Sequence, residues 1–191
     1  MKLRLFLFLL LFSQVALAQL YPARVMLKDG TLIDGITGKI KKKSFKYKNF
    51  SSDKVKEIDF SKIDFVQIRF SKDNIKKYRF FQTLSSDKFF ALEELVIGER
   101  VELYVSVYNV SYEGDYSYTT TVVNYYIKKP IEKKLLFLGN ASPINNLKEK
   151  VLNYFADCEA LVKKIKERDF KMRDGLEQVA QFYNENCDVS K

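Results

Sequence analysis

Between Ala23 and about Leu138, β-branched, aromatic and aliphatic residues form short runs that are separated by turn residues. This pattern is typical of β-strands. Turn signals at Asp29-Gly30, Ile97-Gly98-Glu99 and Glu113-Gly114-Asp115 favour hairpins. Sequential strands joined by short turns predict an antiparallel meander that forms a curled sheet, a roll or a barrel. The predicted strands lie near residues 23–28, 31–36, 44–50, 55–59, 63–70, 76–84, 89–97, 100–110, 118–128 and 132–138.

The hydrophobic period changes after Asn140-Ala141-Ser142-Pro143. Apolar residues at spacings of three and four, from Leu147 to Ile165, predict an amphipathic helix. A second helix is predicted to begin near Asp174, a suitable N-cap residue. The fold class is therefore predicted to be α+β, a β meander followed by a C-terminal helical pair. The apolar stripes are too wide for a two-helix contact, so the pair is predicted to dock on the β domain, through Leu147, Val151, Phe155, Val162 and Leu176.

The first residues have the features of a cleaved secretory signal. Lys2 and Arg4 precede the apolar run 5–12, and the small residues Ala16 and Ala18 follow it. The run is too short for a membrane-spanning helix. The chain is predicted to consist of a signal peptide at residues 1–18, a β-rich domain at 19–140 and a helical segment at 141–191. The exported protein is predicted to be periplasmic, associated with the outer membrane, or secreted.

Both cysteines, Cys158 and Cys187, lie in the predicted helical segment, one on each apolar stripe. If the helices fold back on each other, the two sulfur atoms lie at similar levels and face the same seam. In an exported protein the oxidising compartment favours a disulfide. Metal ligation and a reactive thiol pair are the alternatives, but two cysteines without histidine are too few for a typical zinc site.

The chain contains no histidine, which excludes histidine-based triads, histidine general bases and imidazole zinc sites. Carboxylate pairs are the remaining candidates for catalysis, and the nearest are Asp59 with Asp64 and Glu93 with Glu94. Adjacent strand residues point to opposite faces, so Glu93 and Glu94 do not converge. Asp59 and Asp64 flank a corner and are typical turn residues. No catalytic residue, metal site or cofactor is predicted.

Six lysines lie close together in the segment "GKIKKKSFKYK". In an extended segment, Lys39, Lys41 and Lys43 would project from one side. The group favours an anionic surface such as lipopolysaccharide or lipid, or else protects a strand edge from aggregation. Removal of Lys2 and Arg4 with the signal would leave a net charge near +7. The candidate polyanion-binding residues are Lys39, Lys41, Lys42, Lys43, Lys46 and Lys48.

Tyrosines recur in the hairpin segment "VELYVSVYNVSYEGDYSYTTTVVNYYIKK". A two-residue turn at Gly114-Asp115 would place Tyr104 opposite Tyr125 and Tyr108 opposite Thr121. Tyr104, Tyr108 and Tyr125 would then form an aromatic contact face for sugars or bases. Cross-strand packing, or cover for a docked helix, is the alternative role of these rings.

Four segments of the chain, in this order, resemble uncharacterised exported β-rich proteins of Bacteroidota, a domain of unknown function. They are "VMLKDGTLIDGITGKI", "VKEIDFSKIDFVQI", "NYYIKK" and the tail "DCEALVKKIKERDF" with "FYNENC". The resemblance covers nearly the whole chain after the signal. It implies an envelope location and the α+β layout, and it implies no activity.

The expected function is that of a non-enzymatic exported protein that binds a partner or supports envelope assembly. The expected partners are another envelope protein or an anionic envelope surface, rather than a specific nucleic acid. The alternative is a periplasmic enzyme that acts through carboxylates or tyrosine without histidine. A cleft with two converging carboxylates would favour this alternative.

Overall fold

The computed structural model describes residues 20–50, 54–112, 117–142 and 145–187, so the predicted signal segment and the predicted turn at 113–115 lie outside the described residues. The helices are α1 (Leu147–Tyr154), α2 (Glu159–Lys166) and α3 (Glu177–Asn186). The strands are β1 (Tyr21–Leu27), β2 (Leu32–Ile40), β3 (Ser44–Asn49), β4 (Lys56–Asp59), β5 (Ile63–Arg69), β6 (Ile75–Thr83), β7 (Ser86–Ile97), β8 (Glu102–Tyr112), β9 (Tyr118–Lys128) and β10 (Leu136–Gly139).

The strands form one sheet of ten, in the order β10-β9-β8-β7-β6-β5-β1-β2-β3-β4, and each neighbouring pair that is joined by a ladder is antiparallel. The predicted α+β class is confirmed. The sheet consists of two meanders, β1 to β4 and β5 to β10, because β5 pairs with β1 instead of β4. The edge strands β4 and β10 have four residues each. Among the described residues no ladder joins these two strands, so the sheet is open.

Two hydrophobic cores lie on the same face of the sheet. The first core contains residues of β1, β2, β3, β5 and β6, with Val25, Ile63 and Val66 fully buried. The second core is formed between β7 to β10 and the helices, and it includes Leu103, Ile127 and Leu138. Directly paired residues share a face of a sheet, and the pairs Val66↔Tyr78, Tyr78↔Glu93 and Glu93↔Val105 connect the first core to the second.

The described part of the helical segment, residues 141–142 and 145–187, contains three α-helices, so the predicted pair is wrong in this respect. The first predicted helix is interrupted after Tyr154, because Phe155 leaves the helical conformation and Cys158 is extended. The interruption shifts the apolar stripe, so Leu161 is buried and Val162 is only half-buried. The second predicted helix begins at Glu177 instead of near Asp174. The other predicted docking residues, Leu147, Val151, Phe155 and Leu176, are buried in the shared core.

The interruption also brings Asp157 to a polar contact between the helices and the sheet. Its Oδ2 accepts a hydrogen bond from the Tyr183 hydroxyl at 2.9 Å and pairs with Lys129 Nζ at 2.7 Å. Burial tends to raise the pKa of Asp157, but the hydrogen bonds from Lys129 and Tyr183 outweigh it and lower the pKa. This contact therefore joins α3 to the end of β9 at neutral pH.

Asn184 of α3 contacts the turn between β7 and β8. Its Oδ1 accepts hydrogen bonds from the backbone N–H groups of Arg100 at 3.0 Å and Val101 at 2.9 Å. Its Nδ2 donates to the Val101 carbonyl at 3.0 Å. A Cβ atom at Gly98 would overlap the Asn184 amide, so the turn requires glycine at this position. One side chain thus satisfies the backbone groups of a partly buried turn.

Asn184→Ala is expected to lower the free energy of unfolding by about 2 to 4 kcal/mol, because partly buried backbone donors and an acceptor lose their partners. Urea unfolding followed by far-UV circular dichroism measures the change. Asn186→Ala is the matched control, since Asn186 is exposed and its Nδ2 donates to the Phe182 carbonyl of the same helix. An equal change in both variants would contradict the assigned role of Asn184.

Candidate functional site

The longest pairing in the sheet is the β8–β9 hairpin. Its strands pair continuously from Glu102↔Lys128 to Tyr112↔Tyr118. The neighbouring β7 pairs with β8 only as far as Val105, and β10 pairs with β9 only between Tyr125 and Ile127. Residues 106–112 and 118–124, called here the outer ribbon, therefore extend beyond both neighbours by seven residue pairs. At about 3.3 Å per residue this length is roughly 20 Å.

The outer ribbon carries no charged side chain in either strand, "SVYNVSY" or "YTTTVVN", although 30% of the residues in the chain are charged. Val107, Tyr108, Tyr112 and Tyr118 are each between 47% and 59% exposed. The rings of Tyr112 and Tyr118 stack with centroids 4.8 Å apart. Free strand edges in soluble proteins are commonly protected by charges. An uncharged free edge with exposed aromatic rings is suited to pairing with another strand.

The predicted register of this hairpin is wrong by one residue. Tyr104 is opposite Tyr126 and Tyr108 is opposite Val122. The ladder ends with Tyr112 opposite Tyr118, whereas the predicted turn would have placed Tyr112 opposite Ser117. A shift of one residue changes the face of every side chain on one strand. Tyr125 consequently lies in the core under the helices, on the face opposite Tyr104.

Of the three predicted contact tyrosines, only Tyr108 is exposed. Tyr104 is 1% exposed, and its hydroxyl donates to Glu102 Oε2 at 2.7 Å. Burial and the neighbouring Glu102 carboxylate raise its pKa. Glu102 also pairs with Lys128 at 2.9 Å. The Tyr104 hydroxyl is thus held neutral inside the fold, and the three tyrosines do not form one contact face.

The candidate lysines lie on the β2–β3 hairpin. Residues 41–43 form the turn, in which Lys41 N donates to the Ser44 carbonyl at 2.8 Å, so Lys39, Lys41 and Lys43 do not continue one extended strand as predicted. Lys39 is directly opposite Lys46, while Lys48 is opposite Thr37. The outer turn lysines, Lys41, Lys42 and Lys43, are exposed.

Lys39 is in an unfavourable electrostatic environment. Desolvation and the positive charges of Lys41 and Lys46 lower its pKa. Like charges directly opposite each other on paired strands are destabilising. Glu57 is opposite Lys46 on β4, but over the described ranges none of the six lysines forms an ion pair with a carboxylate. A bound anion would relieve this crowding.

A groove of about 360 Å³, called here the central groove, crosses the middle of the face that bears both cores. Its apolar lining includes Tyr21, Phe70, Tyr78 and Val107, and its charged lining includes Lys76 and Glu93, which form an ion pair at 2.8 Å. Burial and the Glu93 carboxylate raise the pKa of Tyr78. The groove combines residues of six strands, β1, β2, β5, β6, β7 and β8, with Phe70 just after β5. No local sequence pattern could have identified it.

A second cavity, of about 570 Å³, is lined by Arg24, Asp34, Phe50 and Arg69 among others. Arg24 Nε donates to Gln67 Oε1, and the Asp34 carboxylate accepts from the Gly35 N–H at 2.7 Å. Phe50 is 73% exposed and adjoins residues 51–53, which lie outside the described ranges. Its lining residues are also distant in sequence and share no local pattern.

The candidate catalytic carboxylates all have structural partners. Asp59 accepts a hydrogen bond from the Ser61 N–H at 2.8 Å, and this contact lowers its pKa. Asp64 pairs with Arg79 at 3.0 Å. Glu94 also pairs with Arg79, so the guanidinium separates these two carboxylates. Glu93 pairs with Lys76 at 2.8 Å. No pair has the open arrangement that carboxylate catalysis uses.

The cysteines form a disulfide, as the sequence predicted, with the Cα atoms of Cys158 and Cys187 separated by 5.6 Å. Both residues are buried in the core that the helices share with the sheet. Cys158 immediately precedes α2 and Cys187 immediately follows α3, so the bridge connects two helix ends.

Within the described part of the chain, no helix has the length and apolar character needed to cross a membrane, and no group of three or more candidate metal ligands occurs. Comparisons of the chain with protein-family models, curated proteins and solved structures find no match. The candidate sites are therefore defined by the geometry of this chain alone.

Proposed function

We propose that this protein is an exported, non-enzymatic binding or assembly module of the cell envelope, and that it contacts a partner protein through the outer ribbon. The single observation that carries the proposal is the absence of charge from a seven-pair ribbon whose outer edges pair with no other described strand. A partner strand could pair with either edge through backbone hydrogen bonds, while the exposed tyrosines supply contact area. The structural partners of the candidate carboxylates favour binding over catalysis.

The disulfide and the signal-like first residues support the exported location. Disulfides persist in oxidising compartments such as the periplasm or the exterior. The positively charged start, apolar run and small residues are the elements of a secretory signal. The resemblance to exported β-rich proteins of Bacteroidota implies the same location.

Photocrosslinking from the outer ribbon tests the proposal. A benzophenone amino acid placed at Tyr112 of the full chain is expected to yield one discrete adduct with an envelope protein. The same amino acid at Ile131, which is 90% exposed but outside the ribbon, is expected to give none. Mass spectrometry of the adduct identifies the partner.

A charge in the ribbon should remove the adduct. Tyr108→Lys is expected to lower the yield from position 112 by about tenfold or more, because pairing would bury an uncompensated charge. Ile131→Lys adds the same charge elsewhere and should leave the yield unchanged. Equal yields from positions 112 and 131, or an adduct that survives Tyr108→Lys, would contradict the role of the ribbon.

A further inference from the structure

Five cationic side chains lie on the sheet face opposite the two hydrophobic cores. Neighbouring residues on a strand point to opposite faces, and directly paired residues share a face. Tyr47 of β3 and Ile68 of β5 are core residues, so the residues on either side of them face away from the cores. Their partners on β2 and β1 face the same way. The cations of this surface, called here the basic face, are Lys46 and Lys48 of β3, Arg69 of β5, Lys39 of β2, which is opposite Lys46, and Arg24 of β1, which is opposite Gln67.

The positive charges of the basic face outnumber the carboxylates beside them. Among the residues that the structure describes, no ion pair joins any of the five cations to a carboxylate. Glu57, opposite Lys46 on the edge strand β4, accepts a hydrogen bond from the Ser44 hydroxyl. Asp34, in the lining of the second cavity, accepts one from the Gly35 N–H at 2.7 Å. The four neighbouring strands that carry the cations, at a spacing of about 4.8 Å, spread this charge over roughly 15 Å.

Exposed apolar side chains lie beside these cations. Ile75 is directly opposite Arg69 and is 45% exposed. Phe50, two residues after Lys48, is 73% exposed. Both side chains line the second cavity together with Arg24 and Arg69. The apolar groups are therefore in the same surface as the excess positive charge.

This combination fits the surface of a membrane better than a nucleic acid. Anionic lipid head groups attract lysine and arginine, and the boundary between head groups and acyl chains accepts apolar side chains. A single nucleic-acid strand would instead stack its bases on aromatic rings placed among the cations. The exposed ring of Phe50 lies at the border of the basic face, just after the end of β3.

We propose that the basic face docks on an anionic phospholipid surface, with its five cations at the lipid phosphates and with Phe50 and Ile75 in the head-group layer. The two arginine guanidinium groups would donate charge-assisted hydrogen bonds to phosphate oxygens. The phosphates would also relieve the repulsion between Lys39 and Lys46, which are directly opposite each other. This surface goes beyond the proposed partner contact and does not depend on it, because none of these residues belongs to the outer ribbon.

Sedimentation with vesicles of phosphatidylglycerol and phosphatidylcholine in equal parts tests the docking. Vesicles of phosphatidylcholine alone measure any attachment that does not need charge. The wild-type protein with its disulfide is expected to bind the anionic vesicles at least about tenfold more tightly than the neutral ones. Raising the ionic strength from about 0.01 M to about 0.15 M shortens the Debye length from about 30 Å to about 8 Å, so it is expected to weaken this binding.

Reversal of two charges separates the basic face from the net charge of the protein. The double variant Arg24→Glu, Arg69→Glu is expected to weaken binding to the anionic vesicles by about tenfold or more, since two attractions become repulsions. Arg168→Glu, Arg173→Glu is the matched control. It makes the same charge change at exposed positions between α2 and α3, and these helices cover the opposite face of the sheet. This control is expected to change the affinity by less than about threefold.

Lys39→Glu distinguishes a binding role from a structural one. The substitution turns a like-charge cross-strand pair into a pair of opposite charges, so the urea midpoint of unfolding should stay the same or rise. Binding to the anionic vesicles should nevertheless weaken by about threefold or more, because one cation of the basic face is reversed.

Circular dichroism verifies folding, and Lys39→Glu, Lys48→Glu replaces the double arginine variant if the latter does not fold. Equal losses in the double arginine variant and its control would reduce the effect to diffuse attraction by the net charge. That result, equal binding to anionic and neutral vesicles, or an unchanged affinity of Lys39→Glu would each overturn the proposal. A single-stranded oligonucleotide that releases the protein from the vesicles at an equal concentration of phosphate groups would assign the basic face to nucleic acid and would also overturn it.

Discussion

Ending the chain after Asn140 is expected to yield an aggregated product instead of a soluble β domain. Leu103, Ile127 and Leu138 of the sheet are buried only when the helices cover them, because they belong to the core that the helices complete. Truncation would expose a continuous apolar surface on β7 to β10, and such surfaces cause association. The helical residues lost from this core are Leu147, Val151, Phe155, Cys158, Leu161, Ile165, Leu176, Val179, Ala180, Tyr183 and Cys187.

The size of the effect follows from the number of side chains. Burial of one large aliphatic or aromatic side chain stabilises a fold by about 1.5 to 3 kcal/mol, whereas a small domain has a net stability of about 5 to 15 kcal/mol. The stabilisation that is lost with the helical side chains therefore exceeds the net stability of a small domain, and the remaining sheet is not expected to stay folded. Size-exclusion chromatography with light scattering measures the outcome, and a chain ending at Cys187 serves as the control. A soluble, folded monomer ending at Asn140 would contradict the shared core.

Removal of the disulfide is expected to lower the free energy of unfolding by about 2 to 5 kcal/mol. The bridge closes a segment with a sequence separation of 29 and limits the freedom of the unfolded chain. The double variant Cys158→Ala, Cys187→Ala avoids new free thiols. Because the helices share a core with the sheet, the lower stability should appear in one cooperative transition, measured by urea unfolding with both circular dichroism and tyrosine fluorescence.

Thiol titration provides the independent check of the disulfide. The oxidised wild-type protein should contain no titratable thiol under denaturing conditions. Wild-type protein reduced with dithiothreitol should unfold at a urea concentration similar to that of the double alanine variant. Two titratable thiols per chain before reduction, or an unchanged midpoint after it, would contradict a stabilising bridge.

The positions of the strands could be predicted because strand formation leaves a local pattern. The alternation of Val101, Leu103 and Val105 with Glu102 and Tyr104 follows the two-residue period of a strand, and the three aliphatic residues lie in the core beneath the helices. The turns at Asp29-Gly30 and at Gly98 were also recognisable from residue type, and both join consecutive hairpin strands. The pairing of β1 with β5 left no such local pattern, because strand order depends on contacts distant in sequence.

The tyrosine hairpin shows the limit of local reasoning for the candidate site. Its strands were predicted, but its register depends on the length of the connection between them, and an error of one residue placed Tyr104 and Tyr125 on the same face instead of opposite faces. The helix interruption at Phe155 was similarly missed, since helical spacing continues through it in the sequence. The first error concerns the relative placement of two strands, whereas the second divides one predicted helix into two.

By itself, the sequence determined the α+β class, the apolar stripes of the helices and the cysteine pair, because each depends on residue type and on spacing along the chain. Only the tertiary structure decided the open two-meander sheet, the contact of Asn184 with a distant turn, the free edges of the outer ribbon and the central groove. Each of these features is produced by residues far apart in sequence that meet only when the sheet is assembled. Long-range pairing and packing, which have no period along the chain, therefore created every surface to which a function is assigned.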